Sequence, residues 1–486
     1  MSLFRDLVMH RTLAIATALL LGGFGILAEA QTEQQPAPEG AAPSTERRET
    51  PAAAVGGGLL VPGVDEQEEA SYWTTSRPMV PAIVGGYGTS LATRTEMERS
   101  NYIRGGVTLQ ATYDDNALLS DPALSNYTYS IFPQIALDQS RSRVHWILNY
   151  AGGFTYNQRL ATQNQTSQDV GFDLQYRLSP HVNVRVSEAF ELTTGLFTPV
   201  NSFNGTTPGV PAGPNSFVIT PLSKTLSNVT RGDLSYQFSA ADVVGVSGGL
   251  KILNYRDVTP GSTLVNTTNE DAALYYMHRI TASNWIGGSY AFQHLGYDSP
   301  TNDSIVHSAI AFDTWQVKPT MTLSFFVGPQ YSDNKLPLDP TSTDVVDRQM
   351  WTVTGGAAFG YQAKHTSIAL GFSRRITDGG GVQGSVELNS ANGSLRQQLT
   401  AKWTLGLTAG YGGNNALVAT NVTAPNLSYI SAGAAVTRQI GQRCFLQAGY
   451  LHQHQTSSGL TSVSGDADRN QVLASFSYQF ARPWGR

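Results

Sequence analysis

The chain has 486 residues, of which 14% are charged against roughly a quarter in ordinary globular proteins, while glycine alone supplies 48. Polarity carried by neutral Ser, Thr, Asn and Gln suits a watery lumen better than a salt-bridged surface, and a formal charge of −5 leaves no basic footprint for nucleic acid. The only cysteine, Cys444, excludes an internal disulfide; its strand parity with Leu446, Ala448 and Tyr450 marks it as a small hydrophobe rather than a nucleophile or metal ligand.

In chain order, Arg5, His10 and Arg11 precede an apolar run from Thr12 to Leu27 that ends in Ala28-Glu29-Ala30. This pattern predicts a signal peptide over 1–30 and a mature start at Gln31. The run is short for a membrane-crossing helix of about 20 residues, and no other stretch approaches that length. Residues 31–100 are rich in Pro, Ala and Gly, with Pro36-Ala37-Pro38 and Gly56-Gly57-Gly58, and predict a disordered periplasmic leader. Trp73, Met79, Val80, Ile83 and Val84 leave open a short strap or plug after residue 72.

From 101 to 480 the dominant period is two. At the C-terminal end Val472, Ala474, Phe476, Tyr478 and Phe480 share one face, and Gln471, Leu473, Ser475, Ser477 and Gln479 mostly the other. A tilted strand of about 9–11 residues crosses the hydrocarbon layer with lipid on one face and water or protein on the other. The same alternation groups Tyr127, Tyr129, Ile131, Ile135 and Leu137, then Val144, Trp146, Leu148, Tyr150, Phe154 and Tyr156, and later Val170, Phe172, Leu174 and Tyr176. Trp403, Leu405, Leu407, Ala409 and Tyr411 repeat it.

Short polar turns fall at Ser140-Arg141-Ser142, Ser179-Pro180-His181, Ala240-Ala241-Asp242, Thr281-Ala282-Ser283, Lys318-Pro319-Thr320, Ala363-Lys364-His365, Ala401-Lys402 and Gly441-Gln442. Longer loops alternate with them near 115–125, 157–165, 193–224, 256–268, 298–303, 333–346, 376–386, 413–425 and 455–467. Eight turns and nine loops join eighteen strands, with sixteen as the alternative count; the segment from Glu387 to Leu399 has the most interrupted pattern. The fold class is therefore all-β: one transmembrane antiparallel up-and-down β-barrel over 101–480, followed by a short tail over 481–486. Bacterial barrels keep short turns in the periplasm, so both chain ends are expected there, in the outer membrane of a Gram-negative-type bacterium.

Trp285, Trp315 and Trp403 beside short turns, and Tyr113, Tyr297, Tyr331 and Tyr411 before long loops, predict two interfacial aromatic belts. The opposite parity assigns Arg143, His145, Asp169, Asp173, Arg177, Arg185, Arg231, Asp233 and Lys251 to the lumen, as lining of a substrate path. Arg143, Arg177 and Arg185 lie near short turns, so they are expected either to form a basic arc favouring anions or to brace the wall. Glu188 falls on the lipid parity of Val182, Val184, Val186 and Phe190, which predicts a bulge or a site above the hydrocarbon layer. The Pro-rich loop from Thr193 to Lys224 is a candidate constriction or a cap.

No reaction chemistry stands out, and the chain is not expected to be an enzyme. Gly245-Val246-Ser247-Gly248-Gly249 matches a nucleophile motif that requires a sharp strand-to-helix turn, yet it lies inside a predicted strand. His452 with His454, and Asp466 with Asp468, read as polar loop-edge pairs, so no metal or cofactor is called for.

Tyr113-Asp114-Asp115-Asn116, the Pro133-bearing strand from Tyr129 to Leu137, the segment Arg141 to Tyr156, and Leu178-Ser179-Pro180 resemble the opening of the β-barrel porin type 2 family. The resemblance covers about the first third of the barrel, with strand rhythm alone beyond it, and implies an outer-membrane barrel; some such proteins accompany exopolysaccharide export. Three readings follow: a conduit for polysaccharide or oligosaccharide, a general or anion-preferring diffusion porin, and a sealed structural or adhesive barrel. Expected partners are outer-membrane lipids and lipopolysaccharide, the barrel-assembly machinery, and small solutes or a carbohydrate polymer.

Overall fold

The computed structural model describes residues 101–117, 123–160, 164–194, 224–256, 264–298, 303–318, 320–337, 345–381, 384–417, 426–458 and 466–483, all within the compact unit Thr50–Arg486. The expected signal peptide, the leader, most of the Thr193 to Lys224 loop and the last three residues lie outside them.

The strands are β1 (Asn101–Asp114), β2 (Asn126–Ser140), β3 (Val144–Asn157), β4 (Gln165–Arg177), β5 (Val182–Thr194) and β6 (Lys224–Gln237). Next come β7 (Asp242–Arg256), β8 (Thr267–Thr281), β9 (Asn284–Tyr297), β10 (Asp303–Lys318), β11 (Met321–Pro337) and β12 (Val345–Gln362). The last are β13 (Thr366–Thr377), β14 (Val386–Thr400), β15 (Trp403–Ala416), β16 (Asn426–Ile440), β17 (Cys444–Ser458) and β18 (Asp466–Pro483). Each pairs antiparallel with the next, and β18 pairs back onto β1 from Tyr102↔Pro483 to Asp114↔Gln471, closing an 18-stranded up-and-down barrel. Short turns and long loops alternate as the sequence predicts. The interrupted segment is the full strand β14, because its Asn389 to Gly393 stretch pairs on both sides whatever its side chains.

Alternation maps directly onto the two faces. On β18 Val472 is 53% exposed and Leu473 4%, so the apolar set looks outward and the Gln471, Ser475 and Ser477 set lines the inside. Leu109, Tyr129, Ile135, Phe154, Leu274 and Phe476 continue this apolar coat. Such a face avoids water only in hydrocarbon, and closure leaves no free sheet edge around most of the ring. Pro133 on β2 and Pro329 on β11 lack an N–H to donate. At Phe132-Pro133, opposite Gly152-Gly153, and at Gly328-Pro329, opposite Ala309-Ile310, the ladders on one side lapse for two residues and resume in the same register.

Two aromatic placements differ from expectation. Trp315, Trp403, Tyr113 and Tyr411 are outward, but Trp285 (4% exposed) and Tyr297 (8%) face the lumen. Both lie on the inward parity of β9, whose outward set is Ile286 and Tyr290; nearness to a turn sets height in the membrane, and parity sets the face. Trp285 packs with Val243, Ala273, Tyr275, Met277 and Phe312 in an apolar cluster on the inner wall. Gly245 makes room for it, since a Cβ there would lie 2.2 Å from the Tyr275 ring. A second inner cluster joins Ala435, Leu451 and Leu473.

Glu188 also differs from expectation. The β4–β5 ladder runs unbroken from Gln168↔Leu192 to Arg177↔Asn183, so no bulge turns the carboxylate inward. It stays on the outward face halfway along β5, where it accepts hydrogen bonds from the Asn228 amide and the Thr230 hydroxyl of β6. Of the two alternatives for Glu188 the bulge is absent, and two neighbouring donors satisfy the carboxylate on the outward face.

Candidate transport path

The inner wall is a series of charged side chains held mostly in pairs. On β1 to β3, Asp138 meets Arg104 at 3.3 Å and His145 at 3.1 Å. Across β4 and β5, Arg185 donates to Asp173 Oδ2 from Nε at 2.8 Å and from Nη2 at 2.7 Å. Arg231 on β6 reaches Asp271 on β8 at 3.3 Å, and the Tyr275 hydroxyl donates to Asp233 at 3.0 Å. Asp169 and Glu191 face each other across β4 and β5, with no basic partner among the described residues.

Of the nine residues assigned to the lumen from parity, eight lie on strands with inward parity. Arg143 is instead an exposed turn residue just before β3. A basic arc of Arg143, Arg177 and Arg185 is not assembled as three free cations, because Arg185 is held by Asp173.

The loop between β13 and β14 carries the strongest feature of the lumen. Gly379, Gly380 and Gly381 have φ of 58°, 63° and 73°, a left-handed run that side-chain-bearing residues avoid. This sharp path sends the loop inward as a strap. Asp378 Oδ2 receives Lys251 Nζ of β7 at 2.8 Å and the Thr267 hydroxyl of β8 at 3.0 Å. The Tyr255 hydroxyl donates to the Gly380 carbonyl at 2.5 Å, and Val265 N–H donates to the Gly381 carbonyl at 2.8 Å. Further along, Ser385 meets the Tyr297 hydroxyl at 3.0 Å.

Beneath the strap Ile376 and Leu417 pack on Leu295, Tyr297 and Val306, with Val265 and Met350 against them. In ring order β13 stands three strands from β10 and six from β7, so the strap reaches these inward side chains by cutting a chord across the lumen. Burial alone raises the carboxyl of Asp378. The Lys251 ammonium, with hydrogen bonds from Lys251, the Gly380 N–H and Thr267, outweighs it and holds the group below the usual 3.8. Lys251 was legible as lumen-facing; its partner, 127 residues away, was not, although an Asp followed by three glycines signals a special backbone.

The Tyr113-Asp114-Asp115-Asn116 motif has a structural role at the closing seam. Asp114 receives Arg469 Nε at 2.7 Å and Gln471 Nε2 at 2.9 Å, both from β18. Asp115 receives the Asn470 backbone N–H and side-chain amide, each at 2.7 Å, and Asn116 Nδ2 donates to the Asp468 carbonyl at 3.1 Å.

The remaining candidates do not converge on a reaction centre. Ser247 lies mid-strand on β7, without the strand-to-helix turn that the nucleophile motif needs. His452 is bonded to Asn470 at 2.9 Å and His454 to Asp468 at 2.8 Å, and the described residues hold no group of three metal-ligating side chains.

No family model and no curated protein matches the chain. Among solved structures, OccK2 (OpdF) of Pseudomonas aeruginosa is similar at 10% identity and a TM-score of 0.41, over 78% of this chain and 98% of that one. OpdK of the same organism is similar at 11% and 0.41, over 78% and 99%. OccAB4 of Acinetobacter baumannii is similar at 12% and 0.41, over 79% and 99%.

Proposed function

We propose that the protein is an outer-membrane channel through which small polar solutes diffuse, their passage set by the strap and by the charged inner wall. The strap carries the reading. A barrel of 16–18 strands leaves an aqueous bore, and here a loop enters the bore and is anchored on the inner wall six strands away through Asp378 and Lys251. A polymer threading through needs a clear bore, so a diffusion porin has more support than a polysaccharide conduit.

Selectivity by net charge is weak on this reading. Inward cations largely face inward carboxylates, and Asp169 with Glu191 offsets any surplus of Arg at the other end. Bacterial barrels keep short turns in the periplasm, which supports a periplasmic position for both chain ends.

Single-channel conductance in a planar bilayer tests the proposal, comparing protein from Gln31 with protein from Glu98. The expected result is a steady current of weak ion selectivity that small sugars pass without lasting block. Silence in both forms overturns the reading in favour of a sealed barrel, and long block by oligosaccharides favours the carbohydrate conduit. A current confined to the shorter form makes the leader a gate.

A further inference from the structure

Among the described residues, the longest gap in the wall's ladders lies on one side of β12. That strand pairs with β11 along its whole length, from Val345↔Pro337 to Tyr361↔Met321. Its ladder with β13 covers only Gly355↔Arg374 to Gln362↔Ser367. Above Gly355, residues Val345–Thr354 have no ladder partner on the β13 side among the described residues, because β13 has turned inward toward the strap.

The depth of this parting follows from the outward rings. Tyr331 and Trp351 lie 5.2 Å apart, beside His307, which is 6.3 Å from Tyr331, and this row marks the outer interface. On β12 Trp351 and Tyr361 bracket a stretch that matches the roughly 9–11 residues needed to cross hydrocarbon. The ladder therefore stops about four residues inside the layer, on the order of 10 Å below the outer interface for a tilted strand. Lipid does not satisfy an open sheet edge at that depth.

Three features fit an opening rather than a sealed wall. A groove of about 340 Å³ lies at the base of the parting, lined by outward Val327, Val353 and Phe372 and by inward Phe326 and Gly356. The Thr354 hydroxyl donates to the Arg374 carbonyl at 2.8 Å where the ladder ends, and the Thr352 hydroxyl is buried without a partner. Arg374 sits on the lipid parity at the same depth, 45% exposed, and gives Glu387 one contact at 2.7 Å out of the five N–H groups a guanidinium carries. A cation there is costly in hydrocarbon and favourable beside water or an anionic group.

We infer that the β12–β13 parting is a lateral portal that takes a single-chain amphipathic carboxylate from the outer leaflet, its tail in the Phe326, Val353 and Phe372 groove and its head on Arg374. The portal needs the barrel to sit in a bilayer but does not need the lumen to conduct, so it stands or falls apart from the diffusion reading.

The test is photolabelling of the whole protein in phosphatidylcholine vesicles with a diazirine-bearing hexadecanoic acid, adducts being located by mass spectrometry. Adducts are expected on Phe326 and Gly356, which face inward, at least fivefold above inward residues elsewhere on the wall. Gly355→Phe fills the groove, and a Cβ there meets its neighbours only at 3.4 Å and beyond, so the strand accepts it. It should cut this labelling about tenfold, while Gly232→Phe, at an open lipid-facing position, leaves it unchanged. Arg374→Gln should abolish the preference for the acid over its methyl ester. Heat-modifiable migration on gels establishes that each variant is folded; should Gly355→Phe fail it, Arg374→Gln decides. Labelling spread evenly over outward residues, or equal for acid and ester in the unaltered protein, overturns the portal.

Discussion

Two seams of one barrel show how differently neighbouring strands can meet. Where β18 closes on β1, the ladder is complete and its outer end is fastened by side chains: Asp114 to Arg469 and Gln471, and Asp115 to Asn470. Where β12 meets β13, the ladder is short, and the side chains beyond it hold β13 elsewhere, through Ile376 on β9 and β10 and the Asp378–Lys251 contact on β7. Closure joins chain ends that no local interaction brings together, so it needs an added latch. The β12–β13 seam joins strands linked by a tight turn, so it tolerates parting at its far end, and the groups released there form the strap.

The largest effect should come from breaking the latch. Arg469→Ala leaves Asp114, whose side chain is 4% exposed, without its ion partner, and should cost about 3 kcal/mol, read as a lower midpoint in urea unfolding of the refolded barrel. An unchanged midpoint would mean that backbone pairing alone holds the closure. Lys251→Met should act on function more than on stability: it frees the strap, and single-channel conductance should rise roughly twofold as the bore widens. Equal conductance in that variant would show that the strap does not obstruct the path.

Acid should imitate Lys251→Met, within a defined window. Because Asp378 titrates below 3.8 in the folded barrel, the strap's contribution is fully present above that value and is lost as pH falls through the lower, folded value. Conductance at constant salt should therefore be flat from pH 7 to 5 and rise only below pH 4; a step near pH 6 would assign the gate to another group. The smallest effect is expected on the intact outer wall. Glu188→Gln keeps an acceptor for Thr230 and removes a charge from the lipid face, which should stabilise the barrel by about 1 kcal/mol in the same urea assay.

Parity carried most of the fold. A period of two reports directly which face a residue takes, and Val472 against Leu473 shows the contrast without ambiguity. The same rule placed Asp173, Arg185, Arg231 and Lys251 inside, yet it was silent on who pairs with whom. It erred where position along the chain stood in for parity, as at Trp285 and Tyr297, and it read Arg143 as strand one residue too early. The inner face was expected to meet water or protein, and Val243, Met277 and Phe312 show where it meets protein, as an apolar patch covered by neighbouring side chains.

By itself the amino-acid sequence determined the strand faces and the alternation of short turns with long loops, and narrowed the strand number to eighteen or sixteen. Each of these is written in residues close together in the chain, where alternation and turn chemistry act. The latch, the strap and the parted seam were decided only by tertiary structure, since Arg469 meets Asp114 across 355 residues and Lys251 meets Asp378 across 127. Contacts at that range depend on where the closed ring carries each strand, and no local period encodes that distance.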